Sequence, residues 1–167
     1  MKKLTTILLL FLSILSYGQS ELESTIFKYF NDYRVEHGLN PVKFDDKVFL
    51  AADHHNNYLN DNDYPNNYIC PSGHLELELF RMSDRLNRFG VDKSRGGGEC
   101  IAYVFRTIKQ NDDSMLKKTI SNWDGSPSHK EIMLLVNIDA GAISVLPLVD
   151  SVGDYFLVTL NVVNFID

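Results

Sequence analysis

The chain has 167 residues, 44% of them hydrophobic, and a formal net charge of −6 at pH 7. Its Lys and Arg residues form no long block, so the bulk charge argues against nucleic acid and anionic membrane surfaces as partners. The length suits one domain with a sizeable hydrophobic core and does not require a second.

The first 18 residues have the pattern of a secretory signal peptide. Lys2 and Lys3 precede an uncharged apolar run from Leu4 to Leu15, and small residues precede an expected cleavage after Gly18. This run is shorter than the roughly 20 residues of a membrane-spanning helix. We therefore expect a single mature domain over residues 19–167, secreted or periplasmic, with no stable membrane insertion after cleavage.

Two amphipathic helices are predicted near the start of this domain. Residues 21–37 carry an apolar stripe that stops at Gly38, and Asp45 is the expected N-cap of the next helix. That second helix contains His54 and His55. Adjacent helical residues point about 100° apart, so we expect one histidine in the core and one nearer solvent, neither of them a metal ligand. The polar residues 60–67 predict a surface loop.

The middle of the chain alternates between apolar stripes and glycine. Residues 75–89 predict a helix, broken near Ser83 and stopped by Gly90. Residues 92–98 predict a flexible, glycine-rich crossing. The β-branched and aromatic residues 100–105 then predict a strand.

A helix–break–helix pattern follows. Ser114 is the expected cap of a helix that ends near Trp123, the only tryptophan and a large apolar anchor. Ser126 is expected as the cap of another helix with Pro127 in its first turn, which would place His129 in that same turn.

Two nearly continuous apolar runs, residues 138–148 and 155–163, close the chain and predict strands. The turn residues 150–154 between them favour a hairpin. Continuous apolar runs suit strands that helices cover on both faces. The whole pattern indicates an α+β sandwich, with helices mostly first and a small sheet mostly later.

Three potential site residues each follow a loop: His74 after a glycine, Glu99 after a glycine triplet, and His129 after Ser-Pro. Two imidazoles and a carboxylate could bind a divalent metal such as zinc with positions open for water. Alternatively, the carboxylate could polarise one imidazole as a general base. The spacing does not choose between these two chemistries.

The order and spacing of these residues resemble the CAP superfamily of SCP-like extracellular proteins, in its bacterial form. The matching motifs run through nearly the whole mature chain: Asn31-x-x-Arg34, His37-Gly38-Leu39-x-Pro41, Asp45, Leu50-Ala51-Ala52, His74, Arg85-x-x-x-Phe89-Gly90, Gly98-Glu99 and Trp123-x-x-Ser126-Pro127-x-His129. The resemblance implies a three-layer α-β-α sandwich with a small, mainly antiparallel central sheet. It also implies a cleft lined by two histidines and a glutamate.

By position, the resemblance assigns His74, Glu99 and His129 to this cleft, with Trp123 and Ser126 beside it. Some members bind zinc or another divalent cation there, which would make the two histidines and the glutamate metal ligands. Ser126 stands where many eukaryotic members carry a second glutamate, which lowers the negative charge available to a metal. Because Ser126 precedes a predicted helix, we interpret it as a helix cap in preference to a nucleophile.

The resemblance leaves several functions open. The first expectation is a secreted binding module for a small molecule, lipid or protein ligand. The alternative is a metal- or His/Glu-dependent extracellular hydrolase of protease type. A third possibility is a polar cluster that stabilises the cleft and has no external ligand.

The two cysteines flank the proposed site residues in sequence. Cys70 lies four residues before His74, and Cys100 directly follows Glu99. If His74 and Glu99 meet in the cleft that the resemblance implies, the two thiols come close together. In an oxidising compartment we therefore predict a Cys70–Cys100 disulfide.

Overall fold

A computed structural model describes residues 19–64, 73–78, 81–91, 96–107, 109–149 and 154–164. The expected signal peptide, Cys70 and most of the expected hairpin turn lie outside the described residues. The elements, in chain order, are helix α1 (Glu21–Glu36), strand β1 (Lys43–Phe44), helix α2 (Asp46–Asp61), helix α3 (Met82–Arg88), strand β2 (Gly97–Arg106), helix α4 (Asp112–Asp124), helix α5 (Pro127–Met133), strand β3 (Ala140–Val149) and strand β4 (Asp154–Val163).

The four strands form one sheet in the order β1-β3-β4-β2. Strands β3 and β4 pair antiparallel over their whole length, as do β4 and β2, whereas the short β1 pairs parallel to β3. The expected mainly antiparallel sheet is therefore confirmed. Within the described residues β2 is an edge strand, and this position matters for the site.

Helices cover the sheet on both faces. Side chains of alternate strand residues point to opposite faces, so Val158 and Leu160 of β4 pack with α1 and α4, while Leu157 packs against α2. Helix α3 lies on the α2 side, and α5 packs on β2 beside α4. The α-β-α sandwich predicted from the sequence is confirmed.

Local signals place the first two helices. The Asp45 carboxylate accepts hydrogen bonds from the backbone N–H groups of Lys47 and Val48 at 2.9 and 3.0 Å, as expected of an N-cap. Gly38 ends α1 with φ +75°, a left-handed conformation that costs glycine little. The expected division of the histidines of α2 is confirmed, since His55 is buried and the His54 side chain is 34% exposed.

Three predicted boundaries are wrong. The helix predicted over residues 75–89 exists only as α3, because residues 73–78 turn the Glu76 carboxylate inward to meet His55. The N-cap of α4 is Asn111, whose side chain accepts from the N–H of Ser114, the residue predicted to cap. The third concerns Gly97 and Gly98, which belong to β2 and not to a flexible crossing, because they pair with Val163 and Val162 of β4.

A buried arginine ties the first helix to the helix that carries His129. Arg34 is 1% exposed, and its guanidinium donates to the carbonyls of Asn40, Met133 and Leu135. Two of these carbonyls lie at the end of α5, where helical C=O groups lack partners within the helix. In the part of the chain that the structure describes, no helix has the length and apolar character needed to cross a membrane.

Candidate functional site

The structure brings Glu99 and His74 into direct contact. Glu99 lies near the start of β2, is 7% exposed, and points to the face of the sheet covered by α2 and α3. His74 lies in the segment 73–78, and its Nδ1 is 3.0 Å from Glu99 Oε1. The His74 side chain is 38% exposed, so one member of the pair reaches solvent while Glu99 is buried.

Arg85 of α3 completes the contacts of the carboxylate. Its Nη2 donates to Glu99 Oε2 at 2.5 Å, and its Nη1 donates to the His74 carbonyl at 3.3 Å. Burial by itself would raise the pKa of Glu99, but the hydrogen bond from His74 and the charge of Arg85 outweigh it, and the pKa lies below its usual value. Glu99 is therefore an ionised, fully engaged carboxylate.

His129 and Ser126 lie on the other side of the β2 edge, on α5. Ser126 is the N-cap residue, as predicted, but the predicted role of its hydroxyl is wrong: it makes no capping bond and instead lies 2.9 Å from His129 Nδ1. Burial, followed by the nearby charge of His74, lowers the pKa of His129 below its usual value. His129 is therefore neutral at pH 7.

Trp123 lies behind these residues in the core between the sheet and α4. It is 1% exposed, and its indole N–H donates to the Ile101 carbonyl at 3.3 Å. The expected anchoring role is confirmed. This contact stiffens the connection between α4 and β2, from which the site residues project.

Cys100 faces the core on the opposite side of β2 from Glu99. Its thiol is buried, forms no disulfide within the described residues, and contacts the His129 carbonyl at 3.6 Å. Burial, followed by the charge of Glu99, raises the pKa of the thiol. Because Cys70 lies outside the described residues, the Cys70–Cys100 disulfide stays a prediction.

A groove of about 360 Å³ opens over the edge of β2. We call it the edge groove. Its floor holds His74 and Glu99, Arg81 lies at its wall, and the remaining lining is apolar or glycine: Leu75, Met82, Gly98 and Ile132. Gly98 permits this shape, since a Cβ there would lie 2.7 Å from Cγ2 of Ile132.

His74, Glu99 and His129 do not fit a metal centre in which all three are direct ligands. Glu99 is held by the Arg85 guanidinium, whose positive charge disfavours a cation on the same carboxylate. Glu99 Oε1 faces Nδ1 of His74, which makes it an orienting partner of that ring. Across the described residues, no group of three or more His, Cys, Asp or Glu side chains is arranged to hold a metal ion.

The motifs that carry the site match a known family over most of the chain. The model of the cysteine-rich secretory protein family, CAP, matches residues 27–147. The chain belongs to the CAP family. The resemblance noted in the sequence is thereby confirmed, and His74, Glu99 and His129 all fall within the matched region.

Solved structures share the CAP fold at low sequence identity. An extracellular protein containing an SCP domain from Bacillus anthracis has a TM-score of 0.63 and 23% identity over 86% of this chain, which spans 40% of that protein. An outer surface protein from Borrelia burgdorferi has a TM-score of 0.59 and 19% identity, covering 83% of this chain and 90% of that one. Among curated proteins, none matches the chain.

Three residues of this CAP site were not predicted from the sequence as site residues: Arg85, Glu76 and His55. A signal existed for Arg85, which lies on the same face of α3 as Met82 and next to Leu86, and so on the apolar side of a short amphipathic helix. Glu76 stands between two leucines, and no pattern distinguishes it from a solvated charge. One histidine of α2 was expected in the core, but without polar partners, and the structure shows that it is His55.

Proposed function

We propose that this CAP domain is a secreted binding module whose edge groove takes a small, mainly apolar molecule with one anionic group. The observation that carries this proposal is the groove itself, which ends on the His74–Glu99 pair and is otherwise walled by Leu75, Met82 and Ile132. Small-molecule sites in proteins are typically about 300–1,000 Å³, apolar, and supplied with a few polar groups that fix orientation.

The charges around the groove favour an anionic group on the ligand. Arg81 lines the same groove as His74 and brings a positive charge to it. The carboxylate of Glu99 is already compensated by Arg85. A ligand with a carboxylate or sulfonate at one end would therefore meet a net positive edge and an apolar interior.

A dye with this chemistry provides the first test. We expect 8-anilinonaphthalene-1-sulfonate, titrated into the mature folded protein, to bind saturably at one site. Met82→Gln replaces apolar lining by an amide of similar length and should weaken binding about tenfold, the factor for roughly 1.4 kcal/mol of lost apolar contact.

Val136 offers a matched control, because it is 70% exposed and does not line the edge groove. Val136→Gln should leave dye affinity unchanged. Equal loss in both variants, or no saturable binding by the wild type, would contradict the proposal. Near-UV circular dichroism of each variant checks that the dye reports on folded protein.

Secretion is the second part of this proposal. It is supported by the signal-peptide pattern in residues 1–18 and by two fold neighbours described as an extracellular and an outer surface protein. Expression of the full chain, followed by N-terminal sequencing of exported protein, should give Gln19 as the first residue. Retention of Met1 in an exclusively cytoplasmic product would contradict it.

Hydrolysis is a second candidate function, favoured by the 2.9 Å contact between Ser126 and His129 Nδ1. A neutral imidazole beside a hydroxyl can accept its proton, and the lowered pKa of His129 keeps the ring neutral at pH 7. The surroundings favour this function less, because Ser126 follows helix α4 and not a strand, unlike a nucleophile elbow.

A fluorophosphonate probe and a panel of p-nitrophenyl esters separate the two candidates. Hydrolysis predicts labelling and turnover that Ser126→Ala abolishes and Ser128→Ala, two residues along the same helix, leaves intact. Absence of both labelling and turnover in wild-type protein would remove this candidate.

Zinc binding, expected from the resemblance, also stays a prediction. Calorimetric titration with zinc chloride tests it, and His74→Ala is its control.

A further inference from the structure

A buried arginine outside the edge groove has no carboxylate partner among the described residues. Arg34 of α1 is 1% exposed, and its hydrogen bonds all go to backbone carbonyl oxygens. Arg85, by contrast, is 0% exposed and has carboxylate oxygens of Glu76 and Glu99 at 3.5 and 2.5 Å. A buried charge is ordinarily paired with an opposite charge as well as hydrogen-bonded, and Arg34 lacks the first of these.

One nitrogen of the Arg34 guanidinium keeps its donors unused. Nε donates to the Asn40 carbonyl at 3.0 Å, and Nη1 donates to the carbonyls of Met133 and Leu135 at 2.7 and 3.0 Å. Nη2 carries further N–H groups, because every nitrogen of a guanidinium is a donor. In the part of the chain that the structure describes, no group accepts a hydrogen bond from Nη2.

Arg34 lines a pocket of about 360 Å³ beside β1, at the opposite edge of the described sheet from the edge groove. We call it the Arg34 pocket. Its wall also holds Lys43 of β1, which is exposed, and Asp139, which directly precedes β3. The buried side-chain atoms without a hydrogen bond do not include Nη2 of Arg34, so this nitrogen is not sealed in the core. The pocket is the open space that Arg34 lines, and Nη2 can donate into it.

The charged side chains of the Arg34 pocket leave it net positive. Arg34 and Lys43 bring two positive charges, and Asp139 brings one negative charge. Burial lowers the pKa of Arg34 below its usual value, although a guanidinium stays protonated at neutral pH. An anion bound at Nη2 would supply the missing opposite charge and accept the unused hydrogen bonds at the same time.

The pocket favours a compact anion with a single charge and oxygen acceptors. A carboxylate matches the net positive charge, whereas the Asp139 carboxylate would repel the second charge of a phosphate dianion. Guanidinium and ammonium groups both donate strongly to carboxylate oxygens. Because Arg34 is 1% exposed, a ligand must place its charged group inside the pocket to reach Nη2. A short aliphatic acid meets this requirement better than a sulfonate carried on a large ring system.

We propose that Arg34 and Lys43 form a second ligand site, in which Nη2 of Arg34 binds the carboxylate of a small organic acid. The three backbone carbonyls hold the guanidinium in place, so its donor is preorganised before the ligand arrives. Lys43 adds an exposed ammonium on a flexible side chain, which can follow the bound anion. The site is independent of the proposed function, because the Arg34 pocket and the edge groove share no lining residue.

Acetate is the simplest probe of this site. In ¹H–¹⁵N spectra of the labelled mature protein at neutral pH, sodium acetate replaces sodium chloride at constant ionic strength. We expect the Nε–H signal of Arg34 and the backbone amide signal of Lys43 to shift along one saturating curve. The amide of Gly98 reports separately on the edge groove. Shifts at Gly98 alone, or no saturable shift at Arg34, would overturn the second site and leave the proposed function untouched.

Phosphate provides the second arm of the titration. At the same ionic strength it should shift the Arg34 signal less than acetate does, because of the repulsion by Asp139. Saturation by phosphate and not by acetate would overturn the assignment of the site to a carboxylate.

Two exposed lysines give a matched pair of variants. Lys43→Gln removes one positive charge from the Arg34 pocket and should weaken acetate binding roughly threefold, within the range for an exposed ion pair. Lys118→Gln removes the same charge from α4, outside the pocket, and should leave the affinity unchanged. Near-UV circular dichroism checks that both variants are folded. Unchanged affinity in Lys43→Gln, or an equal loss in both variants, would overturn the proposal.

Discussion

Removal of the Arg85 charge gives the sharpest test of the buried ion pair between Arg85 and Glu99. Arg85→Met keeps most of the side-chain volume and the helical preference of α3 but deletes the guanidinium. Glu99 would then lose its 2.5 Å partner while staying 7% exposed, and Glu76 would lose the positive charge 3.5 Å from its Oε1. Deleting one member of a buried ion pair costs about 3–5 kcal/mol, because the partner stays charged without compensation.

That loss is large for a domain of this size. Total stabilities are about 5–15 kcal/mol, and each kcal/mol moves the melting temperature by roughly 2–4 °C for about 150 residues. We therefore expect Arg85→Met to melt about 6–20 °C below wild type. Arg88 of the same helix is exposed, and Arg88→Met should change stability by less than about 0.5 kcal/mol.

Urea unfolding of a double-mutant cycle measures the coupling. Glu99→Gln removes the stranded carboxylate, so the double variant Arg85→Met/Glu99→Gln should be more stable than the sum of the single losses predicts. The pKa of Glu99 is lower in the folded protein than its usual value of 4.5. The ionised Glu99 therefore stabilises the folded state above pH 4.5, and this stabilisation is lost as the pH falls through the pKa of the folded protein. The gap between wild type and Arg85→Met should accordingly narrow below about pH 4.5. Additive losses with no pH dependence would refute the reasoning.

Three further predictions concern the two sides of β2. His74→Gln should raise the pKa of His129 by removing a nearby positive charge, and an unchanged value in a proton NMR titration would contradict this. Gly98→Ala should cost about 1–3 kcal/mol in urea unfolding because the added Cβ meets Ile132, whereas Gly96→Ala, with open space around it, should cost far less. The Cys70–Cys100 bridge is tested in exported protein by its intact mass under denaturing conditions, with and without reductant, and a free Cys100 thiol would disprove it. In reduced native protein, burial and the raised pKa of the Cys100 thiol predict slow alkylation.

Helix caps and apolar runs, which depend only on residues close together in the sequence, predicted most of the fold. Asp45 caps α2 and Gly38 ends α1 because both act through the backbone of adjacent residues. The continuous apolar runs predicted β3 and β4 for a similar reason, since strands covered on both faces need no polar side. Prediction failed at residues 73–78, where a contact between Glu76 and His55, 21 residues apart, decides the path of the chain.

The contact between His74 and Glu99 was predictable from their order in the chain, whereas the buried partners of this pair were not. A charged residue is most often solvated, so no pattern around Glu76 predicts its burial, and only the apolar side of α3 indicates that Arg85 is buried. Ser126 shows a related failure at short range. Its position before Pro127 predicted the N-cap correctly, but the hydroxyl had two possible partners, the helix N–H groups and the His129 ring, and it bonds to the ring.

The predicted Cys70–Cys100 disulfide depends on which face of β2 each neighbouring residue occupies. Glu99 and Cys100 are adjacent, yet consecutive strand residues point to opposite faces, so Glu99 meets His74 while Cys100 meets the backbone of α5. A thiol four residues before His74 is therefore not brought to Cys100 merely because Glu99 is near His74. The bridge requires the segment that holds Cys70 to reach the opposite face of β2.

Because β2 lies at the edge of the described sheet, residues from the helix layers on both faces of the sheet can line one site. Were another strand paired beyond β2, it would separate the layer of α2 and α3, which holds His74, from the layer of α5, which holds His129. Because β2 lies at the edge, the charge of His74 lowers the pKa of His129 from the other side of the strand. The edge groove is lined by Met82 of α3 on one side and Ile132 of α5 on the other. A molecule bound there would contact both layers at once, so binding should stabilise the packing of α5 against β2 as well as the groove floor.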